Sequence, residues 1–248
     1  MTWLDRYFAR LGLDGADTSL ATLARAHVCS IPYENLDVRL GREIRLDRDA
    51  LVAKLVDGGR GGYCYEHNTL FAHVLDELGV PFTRHLGRVR MTDNVSARPA
   101  THMVLVVDGC AVDVGFGAAV PLGPVPLGES VTYGPCTWST TRVTTPEGEA
   151  AWQMSLFDMP MFTFTDVVSH PVDYVTPNHF SSTHPMSIFT QLTLVQRWRH
   201  DDVQVGLVDG VFKERRPDGT ELDVRIDAAD LGRVLREDFA LTVTDDEV

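Results

Sequence analysis

The chain has 248 residues, 44% of them hydrophobic, enough to bury a large core and to divide into two or three subdomains without a dedicated linker. With 35 acidic and 22 basic side chains its formal charge is -13, which argues against the basic face that nucleic acid or an anionic membrane requires of a partner. No run of about 18 apolar residues occurs, and the opening Met1-Thr2-Trp3-Leu4-Asp5-Arg6 lacks the basic-then-apolar order of a signal peptide, so the sequence predicts a cytoplasmic protein.

The first 80 residues read as helical. Trp3, Leu4, Tyr7, Phe8 and Leu11 keep helical spacing; Thr18 or Ser19 can cap a second helix through Leu20, Leu23, Ala24 and Val28; Asp47 can cap a third through Leu51, Val52 and Leu55. A fourth carries the stripe Leu70, Phe71, Val74, Leu75 and Leu78 and ends at Gly79 and Pro81, which places Cys64 in its first turn, behind Gly58, Gly59, Gly61 and Gly62. A thiol there meets unpaired N–H groups and the positive end of the helix dipole, conditions that lower its pKa and suit a nucleophile. A structural cysteine fits this segment alone equally well. Cys29, Cys110 and Cys136 are widely and irregularly spaced, as expected of reduced thiols.

From 81 to 195 the pattern turns to short runs rich in Val, Thr and Phe, at 83–91, 102–107, 110–114, 137–145, 151–157, 162–168 and 190–198, with a Pro/Gly-rich loop at 121–128. These predict a small antiparallel barrel or sandwich. Within it, two apolar runs flank Asp108-Gly109, a strong two-residue hairpin signal. That turn pairs Val107 with Cys110, sets His102 opposite Gly115, and makes His102 and Asp113 diagonal neighbours on one face, about 7–8 Å apart at Cα. A carboxylate on a strand of Ala and Val is costly to bury unpaired, and this register provides the histidine as its partner. A solvent-facing His102 with Asp113 in an open turn is the competing reading, and the upstream cysteine weighs against it. Met103, Leu105, Val107, Cys110, Val112 and Val114 on the other face read as core.

Residues 196–248 predict a short α/β unit, with strands turning at Asp209-Gly210 and Asp218-Gly219 and a helix near 227–239 carrying Leu231, Val234 and Leu235. Thr244–Val248 reads as a frayed tail. Cys64 and His67 lack the second pair that a zinc site needs, so no metal is expected. The glycine cluster has no Lys-Ser/Thr of a P-loop, and His73, His85, His170 and His179 have no patterned partners and read as structural.

The segments Ile31–Leu36, Arg60–Asn68, Thr101-His102 and Val112–Gly117, with a weaker match at Ser182–Phe189, together resemble the arylamine N-acetyltransferase family over residues 3–200. The resemblance implies an α+β fold: a helical first domain (1–80), a central antiparallel β-barrel (81–195) and a short α/β lid (196–248), with a papain- or transglutaminase-like catalytic core. It places Cys64, His102 and Asp113 on a catalytic triad. It further implies ping-pong transfer of an acetyl or short acyl group from acyl-CoA, through an acyl-cysteine, to an aromatic amine, hydrazine or hydroxylamine, with no tightly bound cofactor. Phe116 and Gly117 beside Asp113, and Phe180, Thr183 and His184 downstream, are the candidate substrate contacts; Phe116 fits core packing equally well. Asn68, one turn after Cys64, reads as fixing the local turn. The short third region and the compact His102–Asp113 link depart from many relatives. That short region is the one feature favouring an amide synthase that releases or cyclises a polyketide thioester bound to an acyl carrier protein. An inactive descendant with a binding role is a third reading, which the complete triad opposes.

Overall fold

The computed structural model describes residues 1–91 and 99–247. The order of elements begins with α1 (Trp3–Leu11), α2 (Leu20–Ser30), a two-residue strand β1 (Tyr33–Glu34), α3 (Leu36–Arg39), α4 (Arg48–Leu51), which continues over Val52–Asp57 in wider π-helical turns, and α5 (Cys64–Glu77). Each start is set by local chemistry. The Thr2 hydroxyl and the Asp5 carboxylate exchange capping bonds at α1, Ser19 rather than Thr18 accepts the Thr22 N–H at α2, and Asp47 accepts the Ala50 N–H at α4.

β2 (Thr83–Val89), β3 (His102–Val107), β4 (Cys110–Val112), β5 (Val125–Pro126), β6 (Ser130–Tyr133), β7 (Cys136–Thr144), β8 (Ala150–Leu156) and β9 (Met159–Phe164) form one antiparallel sheet in the order β5-β4-β3-β2-β9-β8-β7-β6. β5 packs back on β6 and β7, which brings the sheet close to a closed barrel. The 121–128 loop thus contributes a strand. β5 is two residues long and holds a proline beside β4, and neither its length nor its composition advertises a strand.

After α6 (Val175–Thr183) and α7 (Ile188–Gln191), the strands β10 (Leu194–Trp198), β11 (Gln204–Val208), β12 (Val211–Arg215) and β13 (Glu221–Arg225) build a second antiparallel sheet, followed by α8 (Ala228–Glu237). β1 is the first strand of this sheet, Tyr33 pairing with Gln196 and Glu34 with Val195. The first 80 residues are therefore not wholly helical. The run expected at 190–198 pairs outside the barrel, and the expected boundary at 195 falls inside β10. Two residues cannot show a period of two, and a Val/Leu/Trp run does not declare its partner.

One core joins α1, α2 and α5 to the barrel; a second packs Val234, Leu235 and Phe239 against Val195, Val205, Leu207 and Phe212. The tail is docked rather than frayed as far as Glu247: its carboxylate pairs with Arg42 and lies 3.1 Å from Arg60 Nη1, and the Thr242 N–H donates to Gly59 O. Val248 lies outside the described residues. Among the described residues no helix is long and apolar enough to cross a membrane.

The glycine-rich segment packs against the chain itself. A Cβ on Gly61 would overlap the Pro32 carbonyl oxygen and press on the Glu34 side chain, so Gly61→Ala is expected to cost about 1–3 kcal/mol, measured as a lower urea midpoint at unchanged m.

Candidate active site

The Asp108-Gly109 turn sets the geometry of the site. Both residues have positive φ, 44° and 71°, as a type I′ turn requires, and the pairs Val107↔Cys110, Val106↔Ala111 and Leu105↔Val112 follow from it. His102 and Asp113 fall on one face as that register demands, Nε2 lying 2.6 Å from Asp113 Oδ2. Both faces of the hairpin are buried, since α5 covers one and barrel side chains the other: His102 and Asp113 are each 2% exposed. Nε2 is the nitrogen bound to the carboxylate, so it carries the proton and Nδ1 is the acceptor of the neutral ring.

Cys64 opens α5 and is 3% exposed, with Sγ 3.7 Å from the carbonyl oxygen of Thr101, the residue before His102. Burial pushes the thiol pKa up and the nearby Asp113 charge adds to this, outweighing the backbone N–H groups of Tyr65 and Met103. Burial therefore acts on this thiol in the opposite direction to the helix start. Such a thiol gives up its proton only to an acceptor within the site.

Asn68 is fully buried and reaches away from its own helix. Its Nδ2 donates to Met103 O (2.8 Å) and Asp113 Oδ1 (2.9 Å), and its Oδ1 accepts the Val114 N–H (3.1 Å). The expected local turn role is replaced by a bridge from α5 to the hairpin. Phe116 and Phe162 stand against the His102 ring, each with centroids 4.7 Å away, and lie 5.0 Å from each other. Phe162, on β9, gave no signal in the sequence beyond an apolar position. Gly117 has φ +66°, and a Cβ there would overlap Gln196 Oε1, so close packing of β10 accounts for this glycine.

Phe180, Thr183 and His184 make side-chain contacts within their own segment. Phe180 stacks on His184 at 4.5 Å, the Thr183 hydroxyl donates to His179 O, and His184 Nδ1 accepts the Met186 N–H. Their helix is tied to the segment before Cys64 by Asn178, which accepts from the Tyr63 hydroxyl and donates to Ile44 O.

Beneath the first turn of α5 lies a buried ionic cluster that sequence reasoning missed, because its members are scattered. Lys54 Nζ is 2.7 Å from Glu66 and 2.8 Å from Asp37, while Arg60 Nη2 is 3.0 Å from Glu34 and 3.2 Å from Asp37. Glu66 also accepts the Tyr63 N–H and so anchors the residue before Cys64. Among the described residues no group of His, Cys, Asp and Glu is arranged to hold a metal ion.

A family model described as N-acetyltransferase matches residues 18–248. The arylamine N-acetyltransferase of Escherichia coli is 34% identical over 98% of this chain and 90% of its own length. The solved arylamine N-acetyltransferase of Mycobacterium abscessus superimposes with a TM-score of 0.90 at 34% identity, covering 98% of this chain and 91% of that one. That of Mycobacterium marinum, solved in complex with CoA, gives 0.85 at 29% identity, covering 96% and 92%. The chain belongs to the arylamine N-acetyltransferase family. The α+β fold with a helical N-terminal region and a barrel, expected from the sequence, is the fold of these relatives.

Proposed function

We propose that the chain carries an acyl group from acyl-CoA, acetyl-CoA first, through a thioester on Cys64 to an aromatic amine, hydrazine or related amine. The observation that carries this reading is the 2.6 Å bond from His102 Nε2 to Asp113, with the Cys64 thiol at a helix start and 3.7 Å from the carbonyl of Thr101, the residue before His102. In the first half-reaction His102 Nδ1 takes the thiol proton and the thiolate adds to the thioester carbonyl. The resulting oxyanion lies near N–H groups at the start of α5, the C–S bond to CoA breaks, and His102 returns its proton to the departing CoA thiolate. In the second, the amine attacks the acyl-cysteine, loses its proton to His102 and displaces the Cys64 thiolate. Asp113 stabilises the imidazolium at each stage.

CoA as donor is drawn from the Mycobacterium marinum relative solved with CoA and from the family's activity. The relatives give no support to an acyl carrier protein in its place. Phe116, half-buried against His102, is the aromatic surface on which an amine ring would lie; Phe180, Thr183 and His184 stay as candidates for the donor's contacts.

Intact-protein mass spectrometry after exposure to acetyl-CoA tests the mechanism. An acetyl adduct is expected on Cys64, absent in Cys64→Ala and discharged by an arylamine. No adduct with any short acyl-CoA would overturn the proposal.

A further inference from the structure

Asn68 uses its full hydrogen-bonding reach across the gap between the nucleophile's helix and the hairpin. It stands at i+4 from Cys64, one turn along the same face of α5. Its three bonds go to Met103, next to His102, to Asp113 itself, and to Val114, next to Asp113. The amide orientation is fixed by these partners: the Met103 carbonyl can only accept and the Val114 N–H can only donate, so NH2 and O each have one possible place. The carboxylate is likewise fully assigned. Oδ2 takes the His102 Nε2–H, while Oδ1 takes Asn68 Nδ2 and the Gly115 N–H at 2.9 Å.

We propose that Asn68 is a positioning residue for the acyl transfer, holding Asp113 and the strand ends beside His102 in register with the helix that carries Cys64. The proposal rests on Cys64 being the nucleophile and adds a residue that touches neither substrate nor thiol. Two physical effects follow. A donor on Oδ1 holds the plane of the carboxylate, so that Oδ2 stays on His102 Nε2. A buried bridge of three bonds also prevents the hairpin from sliding against α5, and a displacement of about 1 Å at a reacting centre can cost about 100-fold in rate.

The test is the pH dependence of Cys64 alkylation by iodoacetamide, with acetyl-CoA kinetics, in wild type, Asn68→Ala and Asn68→Asp. Asn68→Ala is expected to lower the alkylation rate at pH 7 by about tenfold and to move its onset to higher pH by about one unit, the same factor expressed as an equilibrium. Acyl transfer should fall by about 100-fold in kcat with KM for acetyl-CoA little changed, because the residue does not touch the donor. Asn68→Asp is isosteric and carries the test should the Ala variant not fold. Its neutral carboxyl can still donate to Asp113 whereas its ionised form repels it, so its activity relative to wild type should decline as pH rises. A folded variant with wild-type alkylation and an unchanged pH profile overturns the proposal, even if its unfolding midpoint is lower. Should wild-type Cys64 react no faster than Cys29, Cys110 and Cys136, the nucleophile reading fails and this one with it; selective wild-type labelling with unaltered variants removes Asn68 alone.

Discussion

Asp113→Asn is expected to lower turnover by about 10,000-fold while the fold survives, the loss that follows when a triad histidine is held in the wrong tautomer. The hydrogen bonds around the carboxylate decide how the new amide must sit. Asn68 Nδ2 and the Gly115 N–H both point at Oδ1, so the amide oxygen has to remain there. Its NH2 group then occupies the Oδ2 position, 2.6 Å from His102 Nε2. Two N–H groups cannot face each other, so Nε2 becomes the acceptor and the ring proton moves to Nδ1, the atom that receives the thiol proton in the proposed mechanism. The imidazole is then blocked as a base although no atom has moved far. Acylation should slow with KM for acetyl-CoA nearly unchanged, read by rapid-quench formation of the acyl-enzyme. A variant that keeps more than about a tenth of wild-type acylation would show that Asp113 does not set the tautomer.

The pairing of His102 with Asp113, and the place of Cys64 at a helix start, were legible because they are written in short-range signals. Cys64 stands at a helix start announced by a stripe and four glycines, and His102 and Asp113 are related by a turn whose residues dictate one register. What the sequence hid depends on contacts between distant segments. Lys54, Glu66, Asp37, Arg60 and Glu34 form one cluster beneath α5, yet each alone reads as an ordinary surface charge. Strand β1 hid for the same reason, since its pairing with β10 joins residues more than a hundred positions apart in a run only two residues long. The burial of the Cys64 thiol was hidden as well, because helix position is visible in a sequence and burial is not. Asn68 shows the limit most directly. Its spacing from Cys64 was plain, but its partners lie on the hairpin, and only the packed structure aims the amide at them.

Acid should destabilise the protein through a second buried chain, which runs through His67, the residue after Glu66 of the ionic cluster. The Tyr7 hydroxyl is 2.9 Å from His27 Nδ1, His27 Nε2 is 2.8 Å from His67 Nδ1, and His67 Nε2 is 3.1 Å from Pro32 O. The Pro32 carbonyl can only accept, so each proton along the chain is assigned: His67 donates from Nε2, His27 donates from Nε2 to His67, and Tyr7 donates to His27. Both rings are neutral in this arrangement. A second proton on His67 would force every donor back to Tyr7 to reverse and would still bury a charge, so burial lowers the pKa of both histidines, His67 from 6.5 to about 4 and His27 well below its usual value. In the unfolded chain both titrate near 6.5, so between about pH 6.5 and pH 4 the unfolded state binds more protons and stability falls as pH falls. The His67 shift alone corresponds to about 3 kcal/mol, a large share of a typical net stability of about 5–15 kcal/mol. His67→Gln keeps a donor for Pro32 and an acceptor for His27 but cannot take up a proton, so urea midpoints measured across this window should fall less steeply with acid than those of wild type. Equal slopes in the two proteins would mean that the imidazole chain does not govern acid stability, and that the carboxylates, common to both, account for it.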